Sequence, residues 1–204
     1  MTSTRLRGSL ALLYTLTFAA TAAAQPVAEK PAIKVGDAWE FQESAAKNKT
    51  NVATHLVTAI LPGDGVRMQQ NDLTYQEYDS ALNWLPRGRK DYALAVNRYP
   101  MKVGDEWKVS RKFPNPSTSE DGKARVAAYE TITVPAGKFQ CYRIEVRTEL
   151  VTRKHTEQRF LTRWQCPEVK WFAKEVLEIR ATGKKGDETP RTTTTELLRF
   201  KSAG

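Results

Sequence analysis

Two cysteines, two histidines and 23 acidic side chains are the groups in this chain that could carry chemistry. Their spacing decides how far each goes. His55 alternates with apolar neighbours in a β-branched run, and His155 sits in the basic turn Arg153-Lys154-His155. A zinc site legible in sequence pairs its ligands at short intervals, as in His-x-x-x-His or Glu-x-x-His. Neither histidine has such a partner, so no metal is expected. A Ser-His-Asp group can assemble from distant residues, but no Gly-x-Ser-x-Gly elbow marks a nucleophile. Gly183-Lys184-Lys185-Gly186 fits neither nucleotide-binding pattern. Glycoside hydrolysis needs two particular carboxylates, and nothing singles out two. The sequence therefore leans towards a protein that is not an enzyme and carries no cofactor.

The cysteines are more informative. Phe139–Val151 and Glu157–Gln165 read as two strands turning at Arg153-Lys154. In that hairpin, residues whose numbers add to 307 face each other, as Cys141 and Cys166 do. An antiparallel pair places such residues within disulfide reach. A redox pair would ordinarily be Cys-x-x-Cys beside a helix, so the expectation is a structural staple rather than two buried free thiols. The same register sets Trp164 opposite Arg143, an ordinary cross-strand pair.

A disulfide requires an oxidising compartment, and the N-terminus supplies the address. Arg5 and Arg7 precede an apolar run from Leu10 to Ala20, followed by Ala22-Ala23-Ala24. This is the pattern of a secretory signal peptide, residues 1–24, cut between Ala24 and Gln25. The run is shorter than the roughly 20 residues a membrane-spanning helix needs. No cysteine follows it, so a lipid anchor is not expected, and the mature chain should be soluble in the periplasm or outside the cell. The net charge of +9 falls by the two leader arginines to +7. Basic and acidic residues alternate along most strands, as in Arg143-Ile144-Glu145-Val146-Arg147. Only Arg87-Gly88-Arg89-Lys90 and Arg153-Lys154-His155 form basic clusters, both at expected turns. A nucleic-acid partner is not expected.

The elements that must position these groups are strands. Lys102-Val103-Gly104-Asp105-Glu106-Trp107 repeats Lys34-Val35-Gly36-Asp37-Ala38-Trp39, each a few residues after a proline. In each copy glycine (Gly36, Gly104) offers positive φ where the chain turns. Aspartate (Asp37, Asp105) can bond backbone N–H groups nearby, and tryptophan (Trp39, Trp107) anchors the strand that follows. Turn signals recur roughly every ten residues, as in an antiparallel meander. Residues 25–33 read as a flexible tether, and 34–201 as a single β domain with a first half 34–99 and a second half 100–201. Leu82–Leu85 and Tyr92–Val96 read as short strands, Pro114–Gly122 and Gly183–Asp187 as loops. Residues 167–181 carry both helical and strand spacing; strand is taken, because a neighbour beside Cys166 continues the sheet most simply. The tryptophans Trp39, Trp107 and Trp164 read as core anchors rather than a stacking platform.

Three stretches together carry a resemblance: Val103–Trp107, Val134-Pro135-Ala136-Gly137-Lys138-Phe139 running on to Ile144, and Trp164-Gln165-Cys166-Pro167 leading to Val176. They resemble a family of uncharacterised secreted bacterial β-proteins grouped as a domain of unknown function. That family is distantly similar to the curved half-barrels of outer-membrane lipoprotein carriers. The resemblance covers residues 100–176 well, and the first half only through Val35–Trp39 and Pro62–Gly65. It implies a strand after the Trp-x-x-Pro pattern with a glycine near position 170, where this chain has Lys170. It brings no catalytic residue.

The expected architecture is all-β: a strongly curved antiparallel sheet or partly closed barrel of about ten to twelve strands, built from two related halves. The expected function is non-enzymatic, binding an apolar or amphipathic ligand on the concave face or supporting the cell envelope. The alternative is an adaptor whose basic turns touch an anionic envelope polymer. A hydrolase is the weakest reading. An open apolar concavity would favour the first; a filled core with one positive face would favour the second.

Overall fold

The computed structural model describes residues 26–45, 49–72, 74–183, 186–187 and 189–204. The signal peptide and its Ala24/Gln25 cleavage position lie outside the described residues. Eleven strands form among the described residues: β1 (Ala38–Ala45), β2 (Lys49–Leu61), β3 (Gly65–Gln70), β4 (Thr74–Tyr78), β5 (Glu106–Lys112) and β6 (Ser119–Val134). They continue as β7 (Gly137–Val151), β8 (His155–Cys166), β9 (Trp171–Gly183), β10 (Gly186–Asp187) and β11 (Arg191–Lys201). Ten lie along one antiparallel path, β4-β3-β2-β1-β11-β9-β8-β7-β6-β5, and β10 pairs with β9 off that path. The sheet is curved and unclosed, as the sequence led us to expect.

Alternation explains why these segments become strands. Along β7 the side chains at even positions from Tyr142 to Leu150 are buried, as period two requires of a half-buried strand. Register shifts at Glu40/Phe41, Val57/Ala59, Val126/Ala128 and Trp164/Gln165 interrupt the ladders. Such bulges increase local twist and bend the strand, which is how a sheet this wide curls. Two apolar clusters form the core. One gathers Trp39, Phe41, Trp171, Phe172 and the paired cysteines, and the other Trp107, Val109, Tyr142 and Ile144.

The two Val-Gly-Asp turns share one hydrogen-bond plan. Gly36 N–H donates to Val57 O and Val57 N–H to Asp37 O; Gly104 and Asp105 repeat this with Val126, all four at 2.9 Å. Lys34 N–H and Lys102 N–H each donate to the aspartate carboxylate of their own turn at 2.9 Å. Gly36 and Gly104 stand at φ 94° and 95°, where a side chain is disfavoured.

Several local expectations need correction. Within residues 25–33, read as a flexible tether, Ala28 is buried and exchanges two backbone hydrogen bonds with Met101. The Pro114–Gly122 loop ends early, because β6 starts at Ser119. Gly122 is in the sheet for a packing reason: a Cβ there would lie 2.0 Å from Arg147 O. Gly186–Asp187, read as loop, pair with Thr182–Gly183. Pro167–Val169 make one 3-10 turn, and the strand then resumes at Trp171. Leu82–Leu85 and Tyr92–Val96 are not strands. They belong to the connection 79–105, which joins the two opposite edges of the sheet, β4 and β5.

Candidate functional site

The register shows what faces the hollow of the sheet. Trp107, Ala124, Val146, Leu161 and Leu177 lie opposite one another across β5 to β9 as an apolar rung. Beside it run Ile144, Arg163, Glu175 and Thr195. Towards the other end run Arg111, Glu120, Leu150 and Glu157. The inner face is therefore banded, with charged rungs flanking apolar ones.

These rungs enclose a cavity of about 530 Å³. Phe41, Tyr78, Trp171 and Phe172 line it at one end, and Val146, Leu161 and Leu177 line its wall. Glu43, Arg111, Glu120, Arg159, Arg163 and Glu175 bring charge to it. The edge-to-edge connection supplies Leu82, Trp84, Leu94 and Val96. A polar knot holds that connection. Asn97 N–H donates to Asn83 Oδ1 at 2.8 Å, Asn83 Nδ2 to Asn97 O at 2.9 Å, and Asp79 Oδ1 accepts from the N–H groups of Ala81 and Asn83 at 2.9 Å. Both asparagines are buried, so every donor left unmade would be costly. A hollow of about 630 Å³ beside Lys90, Ser110 and Lys112 is larger. Eight of its ten lining residues are polar or charged, and it lies off the sheet's apolar bands, so size alone does not choose the site.

Most charges around the cavity are paired. Glu120, 1 % exposed, accepts from Arg111 Nε at 2.7 Å and Thr148 Oγ1 at 2.7 Å, with Arg159 Nη1 at 3.6 Å. Arg159 donates two bonds to Glu157. Burial would raise the Glu157 carboxyl, but the Arg159 and His155 bonds and charges hold it below the usual carboxylate range. Arg163 binds Glu175 at 2.7 Å through Nε and lies 5.0 Å above the Phe172 ring.

His55 faces the aromatic end. Its ring stands edge-on to Phe41 and Trp171, at centroid distances of 5.8 and 5.4 Å. Burial without a charge partner pushes its pKa down to about 4. Its Nδ1 and the Trp171 Nε1 have no hydrogen-bond partner among the described residues. The Tyr78 hydroxyl is pushed well up by burial. His155 lies apart, 3.3 Å from Glu157. No group of three His, Cys, Asp or Glu able to hold a metal occurs among the described residues.

Of the residues singled out by sequence, His55 lines the cavity, while the cysteines and the residues of the two Val-Gly-Asp motifs lie outside its lining. Cys141 and Cys166 are joined, Cα atoms 4.2 Å apart, in a β7–β8 register whose paired numbers add to 307. The tryptophans of the two motifs each pin a connection: Trp39 Nε1 donates to Val169 O at 2.7 Å, and Trp107 Nε1 to Ala95 O at 2.8 Å. Trp39 and Trp107 are buried, but Trp164, read as a core anchor, is only half-buried and donates to Glu130. Asp37 and Asp105 part company. Asp37 is fully buried; burial would raise its carboxyl, yet the Ala203 N–H, the Lys170 ammonium and the Lys34 N–H hold it low. Lys170 Nζ reaches both its oxygens at 2.9 and 3.0 Å. Lys170 itself stands at φ 61°, a left-handed conformation that favours glycine. That is the position where the resemblance implied a glycine; here the ion pair to Asp37 accompanies the lysine.

Sequence reasoning missed Arg111, Glu120, Asn83 and Asn97. The alternation Glu120, Gly122, Ala124, Val126 was a usable signal for β6, hidden by the turn-like composition before it.

No protein-family model matches the chain, and no curated protein matches it. Among solved structures it is similar to an exported protein, so named by inference, with a YmcC-like fold from Bacteroides fragilis: 13% identity, 86% of this chain and 100% of that one, TM-score 0.45. It is also similar to a lipoprotein, again so named by inference, from Parabacteroides distasonis (16% identity, 87% and 100%, TM-score 0.47). A third is the hypothetical lipoprotein YmcC from Escherichia coli K12 (10% identity, 80% and 84%, TM-score 0.44). At this distance nothing of the site is carried over from them.

Proposed function

We propose that this chain is a non-enzymatic envelope protein, exported by its N-terminal leader, that holds an apolar or amphipathic ligand in the hollow of its sheet. The cavity of about 530 Å³, with an aromatic end and an aliphatic wall, carries the reading. Ligand sites are concave, mostly apolar, and roughly 300–1,000 Å³ in volume. Val146 in that wall is buried, but Leu161 and Leu177 are only half-buried, so their burial is incomplete. An apolar ligand would complete that burial, at about 25 cal/mol per Å² removed from water.

The adaptor reading has less support. Of the two basic turns, Arg89 is already paired with Asp91, and Arg153 donates to Ser117. Native mass spectrometry of protein purified from its own envelope tests the proposal. The expected result is an added mass that is lost on denaturation and extracts into organic solvent. Bare protein throughout, combined with failure to bind any apolar probe, would sink it.

A further inference from the structure

An apolar ligand alone does not account for the cavity's charges. Burying guanidinium and carboxylate groups in a wall is costly unless each is matched, and plain aliphatic residues would suit an oil better. The charges that line the cavity balance in number, Arg111, Arg159 and Arg163 against Glu43, Glu120 and Glu175, but the arginines' donors are not all used. Glu120 is approached from two sides, by Arg111 at 2.7 Å and by Arg159 at 3.6 Å. The second distance is too long for a hydrogen bond. Arg111 gives Glu120 only its Nε, and its guanidinium otherwise lies over Phe113 at 4.8 Å. Donor capacity is therefore left over on both arginines, which line the cavity with side chains 17% and 23% exposed. The aromatic residues Phe41, Trp171 and Phe172 contribute to the cavity from strands β1 and β9.

We propose that the Arg111–Glu120–Arg159 cluster is a headgroup subsite for a single-chain amphiphile bearing one anionic oxygen-rich head, a carboxylate or a phosphate ester. Its chain runs from there along the Val146–Leu161–Leu177 wall towards the aromatic end. An anionic head takes up the donors that Arg111 and Arg159 leave unused. An oxygen-rich anion, carboxylate or phosphate, can accept from Arg111 and Arg159 together, in the forked geometry that guanidinium favours. The proposal rests on the ligand-binding reading above and specifies the ligand's head.

The test is displacement of the neutral dye N-phenyl-1-naphthylamine by four twelve-carbon ligands, all below their micelle concentrations: dodecanol, dodecanoate, dodecyl phosphate and dodecyltrimethylammonium. At least one anion should displace about tenfold more tightly than the alcohol, as charge-assisted bonds imply, with the cation weakest. Whichever anion leads identifies a carboxylate or a phosphate source. Arg159→Gln should bring the anion-to-alcohol ratio down towards one. Because Arg111→Gln alone strands a buried carboxylate, Arg111→Gln is paired with Glu120→Gln, and folding is checked by thermal melting; this double variant should also lose the ratio. Equal displacement by alcohol and anions, or a preference for the cation, would overturn the subsite while leaving the cavity reading intact. A dye that never binds overturns both.

Discussion

Replacing His55 with phenylalanine should change how stability depends on pH. His55 is 9 % exposed, packed between Phe41 and Trp171, with a folded pKa near 4 against about 6.5 when unfolded. The shift is downward, so above pH 6.5 the ring is neutral in both states and costs nothing. As pH falls below that value the unfolded chain takes up a proton that the folded one refuses, and stability is lost until the folded ring titrates near pH 4. Linkage puts this loss at about 2 kcal/mol at pH 5 and about 3 kcal/mol at pH 4. Phenylalanine keeps an aromatic ring in the cage and removes the unpartnered nitrogen. Whatever its offset at pH 7, its stability advantage over the native chain should grow by those amounts. Urea unfolding followed by tryptophan fluorescence at pH 7, 6, 5 and 4.5 measures the difference directly. Parallel pH profiles for the two proteins would refute the reasoning, since they would mean that His55 protonates as easily folded as unfolded.

Gly122→Ala should cost at least about 3 kcal/mol or prevent folding, because its Cβ would meet backbone at 2.0 Å and overpacking against backbone cannot relax cheaply. Gly63→Ala, at φ 72° but in open space, should cost only about 1 kcal/mol; melting temperatures compare the two. Lys170→Gly should destabilise by about 3 kcal/mol despite relieving the left-handed backbone, because it leaves the Asp37 carboxylate buried without its cation. Adding Asp37→Asn should recover part of that loss, so a double-mutant cycle that comes out additive would contradict the pairing. Opening the Cys141–Cys166 bond with reductant should lower unfolding free energy by about 3 kcal/mol for a 25-residue loop, read from urea midpoints. Two reactive thiols in unreduced, denatured protein would rule the bond out.

Much of the scaffold was legible, because strong alternation and turn chemistry speak for themselves. The β7–β8 hairpin could be registered from its turn alone, and with it the facing of Cys141 and Cys166. The segment after Cys166 was ambiguous for a physical reason. Trp171, Phe172 and Ala173 are buried one after another, in a strand that starts beside the β8 bulge and a 3-10 turn. Consecutive burial blurs period two and imitates a helical face. The site was much less legible. Its charged rungs come from residues such as Arg111, Glu120, Arg159 and Arg163, and charged residues beside them, such as Lys112 and Asp121, point to solvent instead. Only pairing across four strands shows which of them point inward. The connection 79–105 was misread because Leu82, Leu85 and Val96 are buried without being strands: they cover the inner face of a sheet instead of joining it.

The central claim is that the hollow of the sheet is a binding cavity, and Trp171 in its wall offers a direct reporter. Titration with a brominated fatty alcohol should quench tryptophan fluorescence saturably, with one ligand bound per chain. A cavity-filling Leu161→Trp variant that still melts cooperatively should bind at least tenfold more weakly. Quenching that never saturates, or a filled variant that binds as well as the native chain, would contradict the account.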